Sequence, residues 1–255
     1  SELVDAAHRA NLVAVAITDH DTIAGVDEAV SAGAALGIRV VRGCELSAYD
    51  GDFEIHLLAL HISDPGSLRP RLEGFQRERV ERGHAIVERL SRAGAPVSID
   101  DVLSEAAGAA LGRPHIARVL IRAGHAADHR EAFDRYLGAG RPAYVAKPRL
   151  DVAEAIGLAH AAGALAVWAH PGRDGTRERL ARLESRGLDG VEIRHPGHTP
   201  ADVVRLTKLA ADLDLVPSGG SDWHGATEGY RTLGNMHIPE AWLDLQDVRI
   251  ATRVA

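Results

Sequence analysis

Leu12-Val13-Ala14-Val15-Ala16-Ile17-Thr18-Asp19-His20-Asp21 decides how this chain is read. Its first six residues are an apolar, β-branched run, short enough for a buried strand. The run stops at four polar residues, three of which can bind a metal or carry a proton. Strands that end this way present active sites at the carboxyl edge of barrels and open α/β sheets. A single histidine in such a loop is more often hydrogen-bonded than ligating, so His20 needs partners from elsewhere in the chain.

Partners recur along the chain. Residues 1–10 read as a helix and Ile23–Leu36 as a second, closed by Gly37. Strand Ile38–Val41 delivers Gly43-Cys44-Glu45. Strand Glu54–Leu60 carries His56. Asp64-Pro65-Gly66 then changes the pattern, and charged helical stretches follow at 67–93, 99–107, 114–123 and 129–137. From Leu150 the alternation resumes. Strand Ala164–Ala169 delivers His170-Pro171-Gly172-Arg173, strand Gly190–Ile193 delivers Arg194-His195, and strand Leu215–Pro217 delivers Ser221-Asp222-Trp223-His224. A short strand and a terminal helix are expected over 233–254. The reading is α/β, with a barrel formed by 1–64 and 146–255 and a helical insertion at 65–145.

The composition agrees with this class. Of 255 residues, 45% are hydrophobic, 25% charged and only 4% aromatic, which favours close helix–sheet packing. The net charge of −7 excludes a broad nucleic-acid footprint and therefore an extended duplex partner. One cysteine, Cys44, cannot form an internal disulfide, so a reducing, cytoplasmic setting is expected. No apolar run reaches membrane-span length, no signal-peptide pattern opens the chain, and no membrane partner is expected. The chain opens in a helix-like segment, which leads us to expect an amino-terminal piece before it.

Six metal-type residues thus stand at successive strand ends: His20, Glu45, His56, His170, Asp222 and His224, with His195 a seventh. Singly, each has a plain structural reading, such as a core histidine for His56 or a turn for His170-Pro171-Gly172. Together they point to imidazole and carboxylate ligands for Mn, Fe or Zn, and their number suggests more than one ion. Glu45, with two oxygens, suits a bridging role. A basic group stands beside them: Gly112-Arg113-Pro114-His115 at a helix start, then Lys147, Arg173 and Arg194. An arginine at a helix amino terminus suits phosphate.

Thr18-Asp19-His20-Asp21-Thr22, Gly43-Cys44-Glu45-Leu46-Ser47, Glu54-Ile55-His56-Leu57-Leu58, Ala169-His170-Pro171-Gly172-Arg173 and Gly219-Gly220-Ser221-Asp222-Trp223-His224 resemble, in order, the motifs of the PHP (polymerase and histidinol phosphatase) family of metal phosphoesterases. The insertion resembles a subgroup of nucleoside 3′,5′-bisphosphate phosphatases and 5′→3′ exoribonucleases. The resemblance implies a distorted (β/α)7 barrel holding two or three divalent ions. It implies that His20 and His224 hold one ion, that Glu45 bridges the other two with Asp222 on one, and that His56 and His170 complete the other. Catalysis would rest on His20, Glu45, Asp222 and His224. Arg113, His115, Lys147, Arg173 and His195 would face a small phosphorylated substrate, a nucleotide or short RNA, with 65–145 as a substrate cap. The phosphate ester would be cleaved by a metal-bridging hydroxide. The family's opening His-X-His strand is missing from this sequence, so the expected barrel lacks its first strand. Histidinol phosphate phosphatase and a non-catalytic metal or nucleotide-binding module are the alternatives.

Overall fold

A computed structural model of the chain describes residues 2–107, 110–147 and 149–254. They divide into two compact units, 1–69 with 150–255, and 70–149.

In the first unit, α1 (Glu2–Arg9) precedes β1 (Ala14–Ile17), and α2 (Val26–Leu36) precedes β2 (Arg39–Asp50) and β3 (Phe53–Leu60). Gly37 closes α2 with φ 71°, a left-handed conformation that glycine adopts without a Cβ penalty. Helix α3 (Pro65–Arg92) leads into the second unit, which holds α4 (Ile99–Ala106), α5 (Arg113–Arg122), α6 (His129–Ala132) and a π-helical turn at Phe133–Leu137. The first unit resumes with α7 (Val152–Ala161), β4 (Leu165–Trp168), a 3-10 turn at Gly172–Asp174, α8 (Arg177–Glu184), β5 (Gly190–Arg194), α9 (Pro200–Asp212), β6 (Val216–Gly219) and α10 (Glu240–Val254). The short strand expected after residue 233 is instead a turn leading to α10. No helix among the described residues is long and apolar enough to cross a membrane.

The six strands form one sheet in sequence order. Every neighbouring pair is parallel except those made by β3, which is antiparallel to both β2 and β4. A flat sheet would hold β2 and β6 nearly 20 Å apart, at about 4.8 Å per strand. Instead Val41 of β2, Leu58 and Leu60 of β3, Leu165 and Val167 of β4, and Val216 of β6 share one buried cluster. The sheet is therefore curled into a half-barrel around an apolar interior. Its architecture is α/β, as the sequence indicates, with one hairpin and one helical insertion interrupting the β/α alternation.

Helix α10 closes the end of this barrel where the parallel strands begin. Asp247 takes two hydrogen bonds from Arg39 at 2.6 and 2.7 Å. Gln246 meets His61 at 2.9 Å and donates to the Pro217 carbonyl at 2.8 Å. Leu243 and Ile250 pack onto the interior cluster. The opposite end is left for the polar residues.

Packing within the barrel is tight enough to test. A Cβ on Gly190 would stand 2.6 Å from the Val216 carbonyl oxygen and 2.7 Å from its Cγ2. A backbone carbonyl cannot yield as a flexible side chain does. Gly190→Ala is expected to cost about 1–3 kcal/mol. That lowers the melting temperature by about 2–12 °C for a chain of this size. An unchanged melting curve by calorimetry would refute the packing described here.

The second unit has its own core, built on Ile86, Leu90, Val102, Ile116, Leu120 and Leu137. Along α3, Arg79, Arg82 and Arg89 donate to the carbonyls of Leu111, Val145 and Tyr144. These charged residues hold the unit's loops by their backbones.

Candidate metal centre

Glu45 is the hub, and the fold explains why. From sequence it stands at a strand end. In the structure it is in the interior of the 12-residue β2, because the hairpin with β3 extends pairing from Gly43↔Leu60 to Asp50↔Phe53. The exit of β1 is zipped along this extension. Asp21 N–H donates to the Glu45 carbonyl at 2.9 Å and Glu45 N–H donates to the Asp19 carbonyl at 3.1 Å. His20 is thereby held beside Glu45, 3.6 Å from its carboxylate. Asp21 is buried and takes the Ser47 N–H at 3.4 Å, which ties the same loop down. Cys44 is fully buried, its thiol pushed up by burial and turned towards the Asp19 carbonyl, so it is a core residue.

His56 arrives by the opposite strand direction. Because β3 is antiparallel, its amino-terminal half lies at the same end of the sheet as the carboxyl ends of the parallel strands. Register pairs His56 with Ser47, so its side chain shares a face with Glu45 two residues away. His56 Nδ1 is 2.8 Å from Glu45 Oε1. His170, just beyond β4, places Nε2 3.3 Å from the same oxygen and 3.2 Å from His56 Nδ1. Three imidazoles thus converge on one buried carboxylate. Burial alone would raise the Glu45 carboxyl. The hydrogen bonds with His170 and His56 and the nearby His20 outweigh it and hold the group at about 2. For His170 burial opposes the charge, but Glu45 prevails and raises its basicity.

A second group forms around Asp222. His195 Nε2 is 3.5 Å from its Oδ2, and His224 Nδ1 is 2.9 Å from its carbonyl oxygen and 3.5 Å from Oδ1. Arg231 bonds both its carboxylate and its carbonyl. The His195 hydrogen bond leads, with Arg231 assisting against burial, in holding the Asp222 carboxyl well below the usual range. The two groups are continuous: the rings of His20, His56, His170, His195 and His198 follow one another at 5.0–5.4 Å.

The loop after β4 is fixed from β5 and α9. His198 accepts the Gly172 N–H at Nε2, 3.0 Å, and Nδ1 faces the Ile193 carbonyl at 2.8 Å. That pattern needs a neutral ring, and burial lowers the basicity of His198 accordingly. Arg205 donates to the carbonyls of Gly172 and Gly175. His170, Asp222 and Asp21 all have positive φ, at 36°, 48° and 51°. Backbone strain of this kind in non-glycine residues collects at functional sites.

The remaining expected substrate residues are spread over both units. Arg173 is exposed on the turn after His170. Arg194 donates to the His237 carbonyl, so it braces the turn before α10. In the second unit, Arg113 donates to the Leu137 carbonyl at 3.1 Å and lies 5.5 and 5.7 Å from the Phe133 and Tyr144 rings. His115 Nδ1 accepts the Gly112 N–H at 3.0 Å and caps α5. Lys147 is half-buried in that unit. Sequence reading passed over three residues of the centre. Glu192 had a signal, a lone acid facing inward on an apolar strand. His198 lies just beyond Arg194-His195 at the same strand end, and Arg231 carries no signal.

Donor types decide what this centre suits. Ring nitrogens and carboxylate oxygens on a buried floor are the ligand set of Zn, Mn and Fe sites. One donor atom each from His20, Glu45 and His56 lies within 4.8 Å of the others, which fits a shared ion. Residues 1–143 match the PHP domain family. The chain belongs to the PHP domain family. A 5′-3′ exoribonuclease of Haemophilus influenzae is 34% identical to it over 230 residues, 88% of this chain and 84% of the relative. A 3′,5′-nucleoside bisphosphate phosphatase of Chromobacterium violaceum is 32% identical over 243 residues, 92% and 85% of the two. A solved structure from Bifidobacterium adolescentis, provisionally described as a metal-dependent phosphoesterase, superposes with a TM-score of 0.85 at 34% identity and covers 97% of this chain and 90% of that one. This PHP chain is accordingly a hydrolase, a metal-dependent phosphoesterase with its candidate metal centre at one end of the half-barrel.

Proposed function

We propose that this PHP chain hydrolyses phosphate esters of nucleotides, either the 3′-phosphate of nucleoside 3′,5′-bisphosphates or the 5′ end of short oligonucleotides. The observation that carries the proposal is the convergence of His20, His56 and His170 on the Glu45 carboxylate. The substrate class is supported by the two relatives, one a bisphosphate phosphatase and one an exoribonuclease.

His20, Glu45, His56, His170, Asp222 and His224 would hold two or three divalent ions, Mn, Fe or Zn. Such ions, when bound, supply a nucleophilic water at neutral pH and charge neutralisation of the phosphoryl oxygens. The chain's own residues set up the rest. Glu45 and Asp222 stay ionised at any physiological pH, because their neighbours hold both well below neutrality. His195, 8% exposed and fixed by the Gly197 N–H on its Nδ1, turns Nε2 towards Asp222. We assign it, with exposed Arg173, to the substrate phosphate. Arg113 and His115 join that assignment on the Gly112-Arg113-Pro114-His115 sequence pattern alone, and Lys147 on the family resemblance alone.

The test is a substrate panel with the metal varied. Protein stripped with EDTA is expected to release no phosphate or nucleotide, and Mn²⁺ should restore activity. A nucleoside 3′,5′-bisphosphate should yield inorganic phosphate, a 5′-phosphorylated short RNA should yield mononucleotides, and both should outrun histidinol phosphate. Chelator-insensitive turnover, or a preference for histidinol phosphate, would overturn the reading.

A further inference from the structure

The ladder between β4 and β5 is only two residue pairs long, Val167↔Gly190 and Trp168↔Val191. A carboxylate from β5 or the residue just before it extends it at each end. Below, Asp189 Oδ2 accepts the Ala166 N–H at 2.8 Å. Above, Glu192 Oε2 accepts the His170 N–H at 2.7 Å. The ladder stops at that upper point, where β4 ends at Trp168. The backbone N–H of His170 would otherwise lose its ladder partner just where the chain adopts φ 36°. A backbone N–H held away from water without a partner is costly.

Glu192 itself is 5% exposed and faces the barrel interior beside Ser218. Burial, opposed by the His170 N–H and reinforced by the charges of Glu45 and Asp222, pushes its carboxyl up to about 8. Burying an acid beside two other carboxylates is costly unless its hydrogen bond is needed.

We propose that Glu192 is a positioning residue, which holds His170 in its left-handed backbone conformation and thereby aims the His170 imidazole at Glu45. The inference rests on the proposed function insofar as His170 serves the metal centre. Glu192 touches no reacting atom in this scheme and acts through His170.

Three variants test it, each compared with the wild-type chain. Glu192→Gln keeps a carbonyl acceptor at the same reach, Glu192→Asp shortens the reach by one methylene, and Glu192→Ala removes the acceptor. Glu192→Ala is expected to lose about 10- to 100-fold in Mn²⁺ affinity or kcat, the usual size for partners that orient a ligand. KM should change less than kcat. Glu192→Gln is expected to recover most of the loss, and Glu192→Asp little of it. NMR of the His170 imidazole, assigned with a His170→Ala variant, should show shifted resonances in Glu192→Ala and near-native ones in Glu192→Gln, with or without Mn²⁺. If Glu192→Ala does not fold, the contrast between Gln and Asp carries the same information. Native His170 resonances in Glu192→Ala or Glu192→Asp would overturn the inference, as would equal damage in the Gln and Ala variants. A wild-type chain that neither binds Mn²⁺ nor hydrolyses nucleotides would instead overturn the proposed function, and the imidazole resonances would still decide the role of Glu192.

Discussion

Glu45→Gln is expected to lower kcat/KM on a nucleoside 3′,5′-bisphosphate by about a thousandfold in saturating Mn²⁺. Gln matches Glu in size, so the cavity is kept and only charge and donor pattern change. Three imidazoles stand 2.8, 3.3 and 3.6 Å from that carboxylate. An amide carries no negative charge to offer bound ions and has one oxygen where the carboxylate has two. A bound ion stabilises a phosphoryl transition state by several kcal/mol. At about 1.4 kcal/mol per factor of ten, losing roughly 4 kcal/mol of that gives the expected thousandfold. Steady-state kinetics together with metal stoichiometry would check it, with circular dichroism confirming the fold. A loss below tenfold at full metal occupancy would remove Glu45 from the centre of the mechanism.

Asp189→Ala is expected to give the largest loss of stability with little loss of turnover. This carboxylate is 7% exposed and accepts from the Ala166 N–H at 2.8 Å, faces His160 at 2.9 Å, and takes Arg253 at 2.6 and 2.7 Å. It thus ties β4, β5, α7 and α10 together at the end of the barrel away from the metal centre. Removing one partner from a buried ionic network costs about 3–5 kcal/mol. Arg253 can still reach water, so we expect the lower figure, about 3 kcal/mol. That is about 6–12 °C in melting temperature for this size of chain. Asp189→Asn should lose less, because it keeps an acceptor for the Ala166 N–H. A shift under 2 °C in the Ala variant, or a fall in kcat of the folded enzyme matching that of Glu45→Gln, would refute this division between the barrel's two ends.

Much of the centre was legible from pattern. His20, His170 and Asp222 follow short apolar strands, and a strand's exit can be read from where β-branched residues stop. Arg113 was less legible. Gly112-Arg113-Pro114-His115 suggests a phosphate site, but in the fold His115 caps its own helix and Arg113 bonds the Leu137 carbonyl. Helix capping and phosphate binding use the same residue types at the same spacing, so local sequence does not separate them.

By itself, the sequence determined the α/β class and offered the residue types of a candidate metal centre, because apolar period and ligand chemistry are local properties. Only the tertiary structure decided who stands beside whom. The antiparallel direction of β3 puts His56 against Glu45, and the extension of β2 moves Glu45 from a strand end to the strand interior. Glu192 gains its place because the ladder between β4 and β5 stops short of His170. The meeting of His170 with Glu45 and with His56 joins residues more than 100 positions apart, and no local window contains it.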